Sequence, residues 1–152
     1  VHPNHDLGSP LASGSFRVDG MLVAPCSVKT QSGVANSYDE SLLVRAADVT
    51  LKERRTLVLL FRETPLHAGH LRLMSEATAA GAIVMPPVPA FYIRPSSVED
   101  LVDHTVGRAL DLLGIQLPQL RRWEGRQGPS HVGKGNHTRP DVPVADNHAR
   151  DR

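Results

Sequence analysis

The stretch TLVLLF, residues 56–61, carries apolar or β-branched side chains at all six positions. Successive side chains of a strand point to opposite faces, so this strand needs cover on both. That requirement suits a central strand of a parallel sheet with helices packed above and below. Arg62 and Glu63 follow Phe61 with no spacer. An opposite-charge pair therefore stands at the very end of a buried strand.

The neighbouring segments repeat the pattern. MLVAPC, 21–26, is a short apolar run ending in a Pro-Cys-Ser turn and reads as another buried strand. Apolar residues at 42, 43, 46, 49 and 51 then recur at helical spacing. The acidic start of that helix (Asp39, Glu40) and its basic end (Lys52, Arg54, Arg55) complement a helix macrodipole. After TLVLLF a helix is expected with Thr64 as N-cap, Pro65 in its first turn and Gly81 as its stop. AIVMPP, 82–87, is the third strand, and the last helix takes Ser96 and Glu99 as a capping box. Strand and helix alternate three times, which means βαβ units and right-handed crossovers.

The chain has 152 residues, enough for one domain with a real core. From Glu124 onward it turns to Gly, Pro, His and charge with no periodic apolar face. Residues 1–123 are expected to form the domain and 124–152 a disordered tail. A net charge of +1 and 4% aromatic residues exclude a global field or stacking surface for nucleic acid. No apolar run reaches the length of a membrane span, so neither a nucleic-acid nor a membrane partner is expected. Cys26 is the single cysteine, which rules out a disulfide within the chain and points to a reducing, cytoplasmic setting. VHPNHDLGSP has no basic and apolar regions of a signal peptide and does not begin with Met.

In open parallel sheets the ligand crevice lies beyond the carboxyl ends of the strands. The residues leaving the three strands are CSVKT, RETPLH and PPVPAFY, a set suited to holding an anion and managing a proton. Each also has a plainer role. Ser27, Lys29 and Thr30 are either a phosphate site at a helix start or a connecting loop. Arg62 and Glu63 are either functional or a structural ion pair. Lys52 fits a solvated helix end, and Arg45 lies at the edge of an apolar face. Arg108 borders an apolar stripe, where an arginine calls for an anionic partner. His67 and His70 have metal-compatible spacing, but the sequence suggests no third ligand, so no metal is expected. Cys26 reads as a packed, inert thiol.

These residues lie in longer stretches, SGSF, PCSVKT, RAADVTLKERRTLVLLFRETPLHAGHLRLM and PPVPAFYIRP. Together they resemble the UbiX-type flavin prenyltransferases, formerly described as aromatic acid decarboxylase subunits, over residues 6–123. The resemblance implies an α/β, Rossmann-like flavoprotein fold, a parallel sheet flanked by helices, here N-terminally incomplete. A first βα unit with a Gly-Ser-Gly-type turn and a second acidic residue are expected upstream, and the chain alone is expected to be marginally stable. The implied activity joins the dimethylallyl group of dimethylallyl phosphate to reduced FMN without a metal. The product, prenylated FMN, would serve a UbiD-type decarboxylase, and the family's dodecamers place sites at subunit junctions.

Carried over by position, Ser27, Val28, Lys29 and Thr30 match a loop lining the flavin, with Val28 standing where methionine is common. Arg62 matches a residue at the flavin and phosphate, and Glu63 the proton-handling glutamate; Ser27, Arg62 and Glu63 form the catalytic set. Lys52, Tyr92 and Arg108 match the clamp on dimethylallyl phosphate. Arg45 matches an arginine reaching across a subunit contact, and Trp123 a tryptophan near the site. Ala12 and Ser13 match small residues beside the prenyl pocket, Ser13 also toward the flavin. Two alternatives stand beside this. A flavin-dependent cysteine decarboxylase shares the fold but would carry Asn-containing motifs in place of SVKT and PPVPAFY. A non-catalytic remnant would only join oligomers.

Overall fold

The computed structural model describes residues 1–117. Three strands, β1 (Gly20–Cys26), β2 (Thr56–Phe61) and β3 (Ile83–Val84), form one parallel sheet in that order. β2 is central, with Leu22 opposite Val58, Cys26 opposite Phe61 and Val58 opposite Ile83. The helices are α1 (Val28–Ala35), α2 (Leu42–Lys52), α3 (Ala68–Ala79) and α4 (Val98–Leu112), with 3-10 turns at Pro10–Ala12 and Phe91–Ile93.

The double-sided burial expected of TLVLLF is present. Leu57, Leu59 and Phe61 join Val23, Val34, Val44, Ala47 and Ala77 in a single core cluster. Val58, pointing the other way, is equally inaccessible, and α4 lies against β2 with Gly107 and Ala109 buried. Each such large side chain contributes about 1.5–3 kcal/mol on burial, so the central strand is the strongest organiser of the sheet. At the far end of α4, Leu113 closes so tightly on β1 that a Cβ on Gly20 would stand 2.8 Å from its Cδ2.

Several local expectations are corrected. Two helices, not one, connect β1 and β2. The first was missed because its helical start coincides with the polar SVKT, whereas Ser27 caps it by accepting from the Thr30 amide at 3.2 Å. α2 begins at Leu42, capped by Ser41, so Asp39 and Glu40 precede it. α3 is capped by His67, whose Nδ1 accepts from the Gly69 amide at 3.0 Å, so Thr64 and Pro65 belong to the preceding loop. The capping box of α4 pairs Ser97 with Asp100, one residue beyond the expected pair; Asp100 also accepts from Ser96. β3 shrinks to two residues because Met85 is followed by two prolines, which have no amide to donate. Trp123 and the expected tail, 124–152, lie outside the described residues.

Candidate active site

The strand ends meet at one edge. The Arg62 amide donates to the Cys26 carbonyl at 3.2 Å and the Met85 amide to the Leu59 carbonyl at 2.9 Å. Ser27, Arg62 and the segment after β3 therefore leave the sheet side by side. Ser27 Oγ and Thr30 Oγ1 lie 3.1 Å apart at the start of α1, where the Val28 and Lys29 amides have no partner in the helix itself. Arg62 and Glu63 are both exposed, and no ion pair joins them. Glu63 Oε1 instead accepts from the Thr64 amide at 3.2 Å. The structural ion pair weighed for these two residues is thus not what holds the loop.

Helix-start amides, two hydroxyls and a guanidinium make a donor set that fits an anionic, phosphate-bearing ligand such as FMN. Lys29 turns away from that set and pairs with Glu40 at 2.6 Å on the wall of a cleft of about 490 Å³ between α1 and α2. The hydrogen bond and charge of Glu40 raise the Lys29 pKa above its ordinary value, so the ammonium stays charged.

A second cluster forms around α4. Tyr92 Oη lies 3.4 Å from His104 Nε2, with the rings edge to face at 5.9 Å. Arg108 follows His104 by one helical turn and its Nη1 bonds Asp111 Oδ2 at 3.2 Å. The anionic partner that the sequence called for at Arg108 is therefore a carboxylate in the same helix.

A third cluster stands at the opposite edge of the sheet. Lys52 ends α2 just before β2 begins, whereas Glu63 follows the end of β2. At about 3.3 Å per residue, the strand separates them by roughly 20 Å. Lys52 Nζ pairs with Glu53 Oε1 at 2.5 Å, and that hydrogen bond and charge hold the Glu53 carboxyl below its usual range. Arg45 pairs with Asp39 at 2.9 Å and with Asp48 at 3.6 Å, while its Nε donates to the Ala12 carbonyl at 3.2 Å. Ala12 and Ser13 belong to this third cluster as well. One chain thus brings together Ser27, Thr30, Arg62 and Glu63, and separately Tyr92 and Arg108, but leaves Lys52, Arg45 and Ser13 on another edge.

Sequence reasoning did not single out Glu53, which pairs with Lys52, or His104, which faces Tyr92. The run KERR hid Glu53 inside a pattern read as a basic helix end. His104 could have been found by its spacing, four residues before Arg108 on one helix face. The rings of His67 and His70 stack at 3.7 Å. Among the described residues no group of three or more His, Cys, Asp or Glu could hold a metal ion. Likewise, among them no helix is long and apolar enough to cross a membrane. Burial pushes the Cys26 thiol up to about 11, the inert state its strand-end position implied.

An open parallel α/β sheet with an anion-suited edge has close relatives. No family model matches the chain. It is 54% identical over 127 residues to the flavin prenyltransferase UbiX of Thauera aromatica, covering 84% of this chain and 66% of that protein. Against the flavin prenyltransferase UbiX of Escherichia coli K12 the identity is 56% over 127 residues, covering 82% and 67%. The crystal structure of AnUbiX in complex with FMN and dimethylallyl pyrophosphate superposes with a TM-score of 0.81 at 52% identity, covering 83% of this chain and 67% of that one. A dodecameric FMN-dependent UbiX-like decarboxylase from Escherichia coli O157:H7 gives 0.79 at 48% identity, covering 82% and 67%. The chain belongs to the UbiX family of flavin prenyltransferases. It spans about two thirds of the length of these relatives.

Proposed function

We propose that this chain is a subunit of a flavin prenyltransferase that joins the dimethylallyl group of dimethylallyl phosphate to reduced FMN. The observation that carries this is the pairing of Arg62 and Glu63, unbonded to each other, with the start of α1 at one strand edge. Its support is the identity of 52–56% to flavin prenyltransferases over 125–127 residues. FMN, when bound, supplies the nucleophilic ring that accepts the prenyl group. The Ser27 and Thr30 hydroxyls and the backbone amides of Val28 and Lys29 would hold the flavin, with Ser13 supplied by a second copy, and Arg62 would contact flavin and phosphate.

Breaking the allylic C–O bond leaves its electron pair on a phosphate oxygen. Fixed cations stabilise that charge best where water is excluded. Arg62, Lys52, Arg108 and Arg45 supply the cations, and Tyr92 supplies a hydroxyl donor. Glu63 is placed to pass a proton from the flavin ring to the departing phosphate oxygen. Trp123, the remaining residue of the expected set, lies outside the described residues. No metal enters this scheme.

Lys52 and Glu63 lie on opposite sheet edges, so only a second copy can bring a Lys52 to a given Glu63. The working form is therefore a homo-oligomer with sites at subunit junctions, read here as a dodecamer like the E. coli O157:H7 relative. Val98, Val102 and Val106 form an exposed stripe on α4 that fits such packing. Prenylated FMN passes to a UbiD-type decarboxylase, and we read the setting as cytoplasmic.

The test is an FMN titration followed by a prenyl-transfer assay with reduced FMN and either dimethylallyl phosphate or the pyrophosphate. Saturable FMN binding and a new flavin absorbance with the monophosphate are expected. A folded chain that binds no FMN would overturn the proposal.

A further inference from the structure

The chain turns tightly over Ser13–Phe16, where the Phe16 amide donates to the Ser13 carbonyl at 3.2 Å. Arg55 grips this turn with both ends of its guanidinium: Nη2 donates to the Gly14 carbonyl and Nη1 to the Phe16 carbonyl, each at 2.9 Å. Arg45 Nε holds the carbonyl of Ala12 just ahead of it. The grip is possible because Arg54, left-handed at φ 58°, reverses the chain after α2 and returns Arg55 toward the turn. A pocket of about 140 Å³ lies under the turn, lined by Leu11, Phe16, Met21, Val49 and Arg55 among others.

The turn lies directly on the Lys52–Glu53 pair. A Cβ on Gly14 would overlap the Glu53 carboxylate and stand 2.8 Å from Lys52 Nζ. The Lys52 ammonium thereby sits beside Glu53 and the Gly14 backbone, with its side chain still 47% exposed. A lysine loses rotamer entropy when fixed, and restricting it before an anion arrives removes part of that cost from binding.

We infer that Arg55 and Gly14 are positioning residues for Lys52, presenting its ammonium in one place for a phosphate-bearing ligand. This rests on the proposed role of Lys52 in the clamp. Arg55 acts through its planar fork, which spans two carbonyls at once; a lysine has one ammonium and cannot. Gly14 acts through its lack of a side chain.

The experiment compares the wild-type chain with Arg55→Lys, Arg55→Ala and Gly14→Ala. Lysine labelled with 13C at Cε gives signals from Lys29, Lys52 and Lys134, assigned by single Lys→Arg changes. In the variants the Lys52 signal is expected to collapse to the free-lysine position, while that of Lys29, bonded to Glu40, stays in place. Dimethylallyl phosphate affinity is expected to fall about tenfold, the scale of ordering one long side chain on binding. A Lys52 signal unmoved in both Arg55→Lys and Gly14→Ala would overturn the inference, as would unchanged affinity in both. A wild-type chain that binds no dimethylallyl phosphate would instead remove the clamp role, and the lysine signals would still decide whether Arg55 and Gly14 hold Lys52.

Discussion

The amide of Arg62 donates to the carbonyl oxygen of Cys26 at 3.2 Å, one step beyond the last paired residues of β1 and β2. This bond extends the ladder into the two candidate site segments, so Ser27 and Arg62 are placed by the sheet rather than by their loops. Groups on such rigid ends keep their geometry at low cost, which is what transition-state stabilisation needs. The charged pair thus follows the buried strand without a spacer because a spacer would loosen it.

Glu63 is exposed, and among the described residues its bond is to the next amide, so replacing it disturbs little structure. Glu63→Gln is expected to leave FMN affinity within about twofold while prenyl transfer slows roughly 100-fold, the contribution of one positioned acid–base group. Steady-state turnover beside an FMN titration checks this. Unchanged turnover would take Glu63 out of the proton path.

Arg108 offers a cleaner separation between binding and chemistry. Its pairing with Asp111 is exposed at the arginine end, where an ion pair is worth about 0–1 kcal/mol. Arg108→Ala should therefore shift the unfolding midpoint very little. If the guanidinium holds the donor's phosphate, the lost charged hydrogen bond is worth about 1.5–3 kcal/mol, and the KM for dimethylallyl phosphate should rise tenfold or more. A large stability loss with unchanged KM would make Arg108 structural.

The strands were legible because burial on both faces leaves an unbroken apolar run, and TLVLLF can be read no other way once its length is fixed. Helix starts were less so. Ser96 and Ser97 both precede a carboxylate by the right interval, and only the backbone decides that Ser97 and Asp100 form the box. The candidate set was legible as a family likeness. Its division into three clusters was not, because sequence order does not show that α2 delivers Lys52 to the edge opposite Glu63. Glu53 and Arg55 escaped for a similar reason: their partners lie 39 to 41 residues away or act through backbone contact, which periodicity never reports.

Cys26 provides a pH test. Burial raises its thiol from 9.0 to about 11. A group whose pKa is raised on folding stabilises fully below the unfolded value and loses that contribution as pH climbs through the folded one. Stability from this source should be constant below about pH 9 and decline toward pH 11. At pH 8 a thiol reagent should react slowly with the native chain and rapidly in denaturant. Rapid native labelling at pH 8 would show that β1 opens at its end.

Arg54 adopts φ 58° after the last turn of α2, a region costing non-glycine residues about 1–2 kcal/mol. Arg54→Gly should relieve that strain, less the glycine's greater entropy loss of about 0.5–1 kcal/mol. A rise of a few degrees in the unfolding midpoint is expected, with dimethylallyl phosphate binding intact because the turn that returns Arg55 is kept. A lower midpoint would mean that the Arg54 side chain contributes more than its backbone costs.

Gln31 is the sharpest anomaly of the core. It is fully buried in α1, and among the described residues neither Nε2 nor Oε1 has a hydrogen-bond partner. An unsatisfied buried amide costs about 1–3 kcal/mol, and replacing it by an apolar group of similar shape recovers much of that. Gln31→Leu should therefore stabilise the chain by about 1–2 kcal/mol, raising the midpoint by several degrees. Thermal unfolding of the two proteins decides it. A lower midpoint in the leucine variant would mean that the amide finds a partner in the assembled protein.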